Sequence, residues 1–488
     1  MSNFSNVFSA LADTTTTENG AVCYSTTGSE LLNLFATIGG MRDRSEDDVV
    51  KMWLFARNED KELADNLILY VRSIRGSGIG ERKLGKLLLK QLAKIDPAKV
   101  RRNFDTIVNT GRWDDLYVFV GTPVEDFMFS FLKEQFEKDW NDMNEGKAIS
   151  LLAKWLKSCN TSSQISRRLG RLTAINFGLS ETQYRKKLSK LRAYLKVLET
   201  KMSAGKWDEI DFSSVPSKAM NMYADAFIRN CPAKFAEYKK AVSEGREKVN
   251  AATLFPYDIT HKYFTMHRYG GWDTIYDEQW KALPNYLEGE KDVLCIVDTS
   301  GSMTCCDCMP ISTAVGLGVY FAQRNKGDYH NMFMTFSSEP TLCKIKDEWS
   351  LKQCLDYVCK ADWGGSTNLD KSYCAIYDIA VRTQDAPAAL VVISDMEIDT
   401  WRIEGNDYAF SITEKWEKKF KAAGLNFPKL IYWNVAARNS HFLANSNDNV
   451  AFVSGAGLGP FKNFLTLIEK SAYEAMVDIL NKEEFKWR

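Results

Sequence analysis

The chain has 488 residues, 45% of them hydrophobic, more than one ordinary core accommodates, so two or three domains are expected. Its 63 basic and 63 acidic residues cancel, and net charge therefore points to no class of partner. No purely apolar run approaches about 18 residues, and Met1 to Val22 is largely polar; this argues against a membrane span and a secretory leader, and the eleven scattered cysteines read as free thiols of a reducing, cytoplasmic setting.

Residues 1–25 read as a loose tail, because Thr14 to Thr17 is a polar run with nothing to bury. From 26 to 250 the pattern is helical. Ser45 followed by Glu46, Asp47 and Asp48 predicts an N-cap with acids in the first turn. Apolar residues then recur at helical spacing through Val49, Trp53, Leu63, Leu67 and Val71, and again through Leu84, Leu88, Leu92 and Ile95. Asp96-Pro97 starts another helix, and Tyr184, Leu188, Leu191, Leu195 and Leu198 form the clearest stripe. Helices in short-linked succession predict an all-α helical-repeat domain, HEAT-like, as a solenoid or a ring. Residues 251–290 are aromatic-rich, with Phe255, Tyr257, Tyr263, Phe264, Tyr269 and Trp272, and read as a connector packed on one or both domains.

From 291 to 488 the pattern changes. Strands are expected at 292–297, 331–336, 389–394, 429–435 and 450–453. Helices fall between them at 311–323, 351–359, 371–381 and 412–423, with one long closing helix at 461–480. This alternation predicts an α/β, Rossmann-like parallel sheet covered on both faces.

The first of these strands runs into Asp298-Thr-Ser300-Gly-Ser302, a carboxylate and two hydroxyls at alternating positions. Gly301 is expected to let the backbone curl around a small ion. A second loop, Trp363-Gly-Gly-Ser-Thr367-Asn368, supplies a hydroxyl, and the strand Val391 to Ser394 ends on Asp395. Functional loops of a doubly wound sheet gather at the carboxyl ends of its strands, so the three should share one rim. Hard oxygen donors with few charges suit Mg²⁺ or a related divalent cation such as Mn²⁺. Asp-x-Ser-x-Ser, a Gly-rich loop with Thr and a strand-end Asp together resemble the metal-ion-dependent adhesion site of von Willebrand factor A domains. The resemblance implies that Ser300, Ser302 and Thr367 touch the ion directly or through water, with Asp298 and Asp395 nearby. It also implies an open coordination position for an acidic group of a protein partner. Cys305, Cys306 and Cys308 follow closely but lack a fourth ligand at zinc-like spacing, and read as unligated thiols.

Overall neutrality hides a local bias. Between Lys147 and Lys206 there are 14 Lys or Arg against two acids, and between Arg72 and Arg102 ten against two. With the Leu stripe of the 184–198 segment facing inward, its cations share an outer face, and polyanion binding accounts for such a bias. The loop Arg75-Gly-Ser-Gly-Ile-Gly80 could bring backbone amides to phosphates, although no strand precedes it. The segments Tyr70 to Arg82 and Gly111-Arg-Trp-Asp-Asp-Leu116 resemble elements of the TROVE or Ro-type RNA-binding proteins, which also place a C-terminal von Willebrand A domain after a helical one. Val249 to Pro256 resembles a segment of a related branch. The resemblance implies RNA contacts at Arg72, Arg75, Arg82, Lys83, Arg112, Arg167, Arg168 and Arg171, and the basic helix adds Arg185, Lys186, Lys187 and Lys190. Trp113 suits a helix core better than base stacking.

No nucleophile-and-base signature or phosphate-binding loop is present, so an enzyme is not expected. The expected function is an RNA-binding or ribonucleoprotein scaffold whose second domain docks an acidic partner through the cation. The rival is a protein-only adaptor working through the same metal site.

Overall fold

The computed structural model describes residues 13–266, 271–287, 292–336, 339–360, 366–400, 411–446, 448–457 and 459–488. The N-terminal half is helical, and its helices begin where side chains can cap them. Ser45 accepts from the Asp48 amide at the start of Glu46–Glu59, and Asp60 accepts from Leu63 at the start of Lys61–Arg72. Asp96 caps Pro97–Arg102, with proline in the first turn, where its missing N–H costs nothing. Ser180 and Gln183 form a reciprocal box that opens Glu181–Tyr194, whose Tyr184, Leu188 and Leu191 are buried. Helices Glu30–Thr37, Glu46–Glu59, Lys61–Arg72 and Arg82–Ile95 pack each on the next.

The C-terminal half is a six-stranded sheet, β3 (Val293–Asp298), β4 (Met332–Phe336), β5 (Thr341–Lys344), β6 (Ala389–Ser394), β7 (Lys429–Asn434) and β8 (Val450–Ser454). The spatial order is β5-β4-β3-β6-β7-β8, and every pairing is parallel except β4 with β5. Strands β3, β6, β7 and β8 are buried throughout, which is why they read as continuous apolar runs. The antiparallel edge strand β5 escaped the sequence reading because three of its four residues are exposed and carry no such signal.

The Cys305–Arg324 helix is apolar enough by composition to cross a membrane, yet Pro310 to Ala322 are all buried in this core. The connector helix Pro256–Phe264 lies against it, with the Thr260 hydroxyl donating to the Ser312 carbonyl at 2.6 Å. Thr260 is so close that a Cβ at Gly316 would sit 2.8 Å from its hydroxyl oxygen. His267, Tyr269 and Gly270 of the connector lie outside the described residues.

Two expectations about segments are corrected. Residues 14–24 do not form a tail: β1 (Thr14–Thr16) and β2 (Val22–Tyr24) make an antiparallel hairpin that bridges Asp399 and Phe442 of the C-terminal half. The polar run can bury because it bonds: Thr17 is buried, and its hydroxyl donates to the Ile398 carbonyl at 2.7 Å. The long closing helix is three pieces, Gly459–Lys462, Phe464–Glu469 and Ala472–Leu480. Lys470 is extended, and a Ser471/Glu474 capping box restarts the helix there.

The two halves share one core. Glu30–Thr37 packs on β8, and Ala472–Leu480 packs on Lys61–Arg72. The chain's last residues also return to the helical half: Phe485 is fully buried with its ring 5.5 Å from that of Tyr70, and the Trp487 indole donates to the Asp65 carbonyl.

Candidate functional site

The parallel register of β3 and β6 sets the ends of both strands side by side. Asp298 and Asp395 are both buried there. Asp298 accepts from the Ser300 amide at 2.9 Å and from the Ser394 hydroxyl at 2.6 Å. The Ser300 and Ser302 hydroxyls lie 3.0 Å apart, and the Glu397 amide donates to Asp395 at 3.2 Å. Burial, reinforced by the Asp395 charge, raises the Asp298 carboxyl above the usual carboxylate range. Two desolvated carboxylates beside two hydroxyls suit a hard divalent cation, which would relieve their repulsion, so this donor set fits one.

Thr367 belongs to the same rim but is turned otherwise. Its hydroxyl lies 2.8 Å from the Glu397 carbonyl and 3.1 Å from Asp399, and it accepts from the Asn19 amide group at 3.2 Å. Among the described residues no hydrogen bond joins it to Asp298, Ser300 or Ser302, so the five predicted ligands are four together and one held by neighbours. Residues 363–365 of its loop lie outside the described residues. The role given to Gly301 is also corrected: its φ is not in the left-handed region, and a Cβ there would meet nothing within 4 Å. Besides Asn19, Glu397 and Asp399, sequence reading missed Glu18 and Arg438 at this rim. The Arg438 guanidinium reaches Asp395 at 2.9 Å and Glu18 at 3.2 Å. Of the cysteines beyond the loop, Cys306 donates to Asp43 at 2.8 Å.

The predicted RNA contacts divide sharply. Arg72 is 2% exposed and bonded to the fully buried Asp115 at 2.8 Å, so it is a core ion pair and not a surface contact. Arg82 and Lys157 both reach Asp114, and Lys86 reaches Asp115. Burial opposes ionisation of Asp114, but Lys86, Arg82 and Lys157 outweigh it and hold its carboxyl below the usual range. The Gly111 to Leu116 element therefore ties helices together. Arg75 is exposed and donates to the Asn109 carbonyl at 2.9 Å. Lys83 is exposed and donates to the Arg42 carbonyl. The glycine loop is no phosphate cradle: the Ser77 amide and hydroxyl hold Glu484, and the Gly78 carbonyl accepts from Gly459. Trp113 stacks on Phe131 at 5.8 Å.

Arg167 donates to the Thr161 and Ser162 carbonyls, Arg171 pairs with Glu181, and Arg168 is exposed. The cations of Glu181–Tyr194 do not share one face. Lys187 and Lys190 lie over the Trp140 ring, at 4.9 and 5.8 Å, whereas Arg185 and Lys186 line a cleft of about 1110 Å³. Arg112, Lys154, Arg192 and Lys218 also line it, with Glu199 as the acid among its lining residues. Trp155, Tyr223 and the 63%-exposed Met222 line it as well. The Arg112 guanidinium sits 4.6 Å from the centre of the Trp155 ring. Burial, with Arg72 and Arg82 adding repulsion, lowers its pKa, so an anion in the cleft would relieve it. Lys154 and Arg192 lay within the basic stretch already counted; Trp155, Lys218, Met222 and Tyr223 carry no local signal, since only the fold brings them to those cations.

Residues 292–486 match the model of a domain of unknown function, DUF7788, and residues 114–290 that of another, DUF2828. The chain is 27% identical over 520 residues to the uncharacterized protein L728 of Acanthamoeba polyphaga mimivirus, an alignment covering 97% of this chain and 86% of that one. Among solved structures it is similar to the Ro (RSR) protein of Deinococcus radiodurans, at 14% identity and a TM-score of 0.49, over 94% of this chain and 100% of that one.

Proposed function

We propose that the protein is an RNA-binding scaffold that takes single-stranded RNA into the cleft of its helical half. The observation that carries this is the composition of the cleft: six cations and one acid line it together with two aromatic rings and a thioether. Phosphates pair with Arg112, Arg185 and Lys186, since Arg192 is held by the Ala153 and Leu156 carbonyls and Lys218 by Asp258, and unstacked bases lie on Trp155, Tyr223 and Met222. The rim of the α/β half is the second site. Asp298, Asp395, Ser300 and Ser302 would hold Mg²⁺ or Mn²⁺ there, as in the von Willebrand A resemblance, and Thr367 would join after leaving Asn19. Bound, the cation would supply one open position to a carboxylate of a protein partner; the surrounding residues orient and desolvate that contact.

The test is binding of a short single-stranded RNA, read by fluorescence anisotropy across a salt series. Arg185→Glu with Lys186→Glu should weaken binding at least about tenfold and flatten the salt slope by about 1.4, at about 0.7 for each phosphate no longer neutralised. Lys187→Glu with Lys190→Glu, on the Trp140 face, should stay within about threefold of the wild type. Equal weakening by both pairs would place RNA elsewhere. Absence of salt-dependent binding would leave a protein-only adaptor working through the rim, a reading favoured by the outer cations that are already paired, such as Arg171 with Glu181.

A further inference from the structure

The carboxylate rim already has a positive group. Arg438, in the loop after β7, places its guanidinium 2.9 Å from the wholly buried Asp395 and 3.2 Å from Glu18 in the turn of the N-terminal hairpin. Burial alone would lower the Arg438 pKa, but Asp395, Glu18 and Glu397 outweigh it and raise it. The same turn is fastened to the rest of the rim. Asn439 donates to Glu18 at 2.9 Å and to Glu397 at 2.8 Å, the Glu18 amide donates to Glu397 at 2.7 Å, and Asn19 reaches both the Thr367 hydroxyl and the Glu397 carbonyl. The hairpin turn thus holds two loops from which cation ligands are expected, one through Arg438 and one through Asn19.

Arg438 is not locked. Its side chain is 35% exposed, and its Nε is buried without a hydrogen-bond partner. It also lines a cavity of about 510 Å³ between the 39–44 segment and its own loop, where Asp43 and Asp48 supply carboxylates beside Arg42 and Arg44. A guanidinium leaving Asp395 therefore has space and acceptors beside it.

Resting on the cation reading above, we propose that Arg438 is the resident counter-charge of this rim and competes with the divalent ion. It neutralises Asp395 while the ion is absent. Ion binding displaces it toward Asp43 and Asp48, frees Glu18, and loosens the hairpin turn from the Thr367 loop. Cation affinity and closure of the N-terminal hairpin then oppose each other.

The experiment is Mn²⁺ binding to the full chain by calorimetry, on the wild type, R438Q and R438K, with amide hydrogen exchange of residues 14–24 in parallel. Removing one positive charge a few ångströms from a dication should tighten Mn²⁺ binding at least about tenfold in R438Q. R438K, which keeps the charge, should stay within about threefold of the wild type, and Mn²⁺ should speed hairpin exchange in the wild type. Circular dichroism on both variants checks that they fold, and the exchange measurement stands on the wild type alone. Equal Mn²⁺ affinity in the wild type and R438Q, or hairpin exchange indifferent to Mn²⁺, overturns the assignment. No Mn²⁺ binding by any of the three overturns the cation reading beneath it.

Discussion

Arg72 and Arg438 both face buried aspartates, and their surroundings give them different roles. Arg72 is enclosed with Asp115, so moving it would strand a charge in the core, and it serves as a fixed joint. Arg438 is one-third exposed, shared between two carboxylates and bordered by a cavity, so it can exchange partners. The carboxylates differ as well. Asp298 has no cationic partner among the described residues and has Asp395 beside it, so its folded-state pKa lies above its unfolded value. Between those two values the folded chain binds more protons than the unfolded chain, and stability falls as pH rises through that window. In a chelating buffer, Asp298→Asn should therefore gain on the wild type as pH climbs from about 4, the unperturbed carboxylate value, toward neutrality. The gain should show as a rising difference in urea-unfolding free energy across that window. A difference that stays flat with pH would contradict the raised pKa.

At the scale of elements, glycine-rich loops of similar appearance do unlike things. The 75–80 loop is packed so tightly that a Cβ at Gly78 would lie 2.2 Å from the Tyr70 carbonyl oxygen, and one at Gly457 2.1 Å from that of Ile79. Gly457 lets the α/β half touch the helical half backbone to backbone, whereas Gly78 lets its loop fold back on Tyr70 and Ser73 of its own half. Gly301 in the rim loop has open space and an ordinary φ. Gly78→Ala should cost about 1–3 kcal/mol or more in unfolding free energy, as overpacking does. Gly301→Ala should be neutral or gain about 0.4–1 kcal/mol. The reverse ranking would mean that the 75–80 loop does not pack back on Tyr70 and Ser73. The hairpin is a second case: a Thr-rich run became a strand because β2 satisfies its backbone, and β2 and the turn are in their turn held at Phe442 and Asp399.

For the whole molecule, the boundary between helical and α/β segments in the sequence is not a boundary in stability. Residues 483–488 reach back across the helical half through Phe485, Trp487 and the Arg488 bonds to Asn103. Deleting them removes a fully buried Phe, a cost of about 3–5 kcal/mol. The full chain should unfold in a single transition by circular dichroism and tryptophan fluorescence, and the truncated chain in an earlier one. Two separated transitions in the full chain would show halves that fold independently. The cleft is also a whole-chain property, since Arg112, Lys154, Arg185 and Lys218 come from four separate segments.

By itself the sequence was sufficient for every α/β strand but the exposed edge strand β5, because strands buried on both faces must be apolar throughout, and for helix starts such as Ser45 and Asp96, because caps act within one turn. It also gathered Asp298, Ser300, Ser302 and Asp395, since a strand-end loop is positioned by the strand itself. Tertiary structure decided what those local signals could not. A cation in the sequence carries the same charge whether it meets a carboxylate in the core, as Arg72 does, an aromatic face, as Lys187 does, or an open cleft, as Lys186 does. Only the packing of distant segments chooses among these. The same holds for Arg438 and Glu18, whose pairing over the rim joins opposite ends of the chain and leaves no trace at either position.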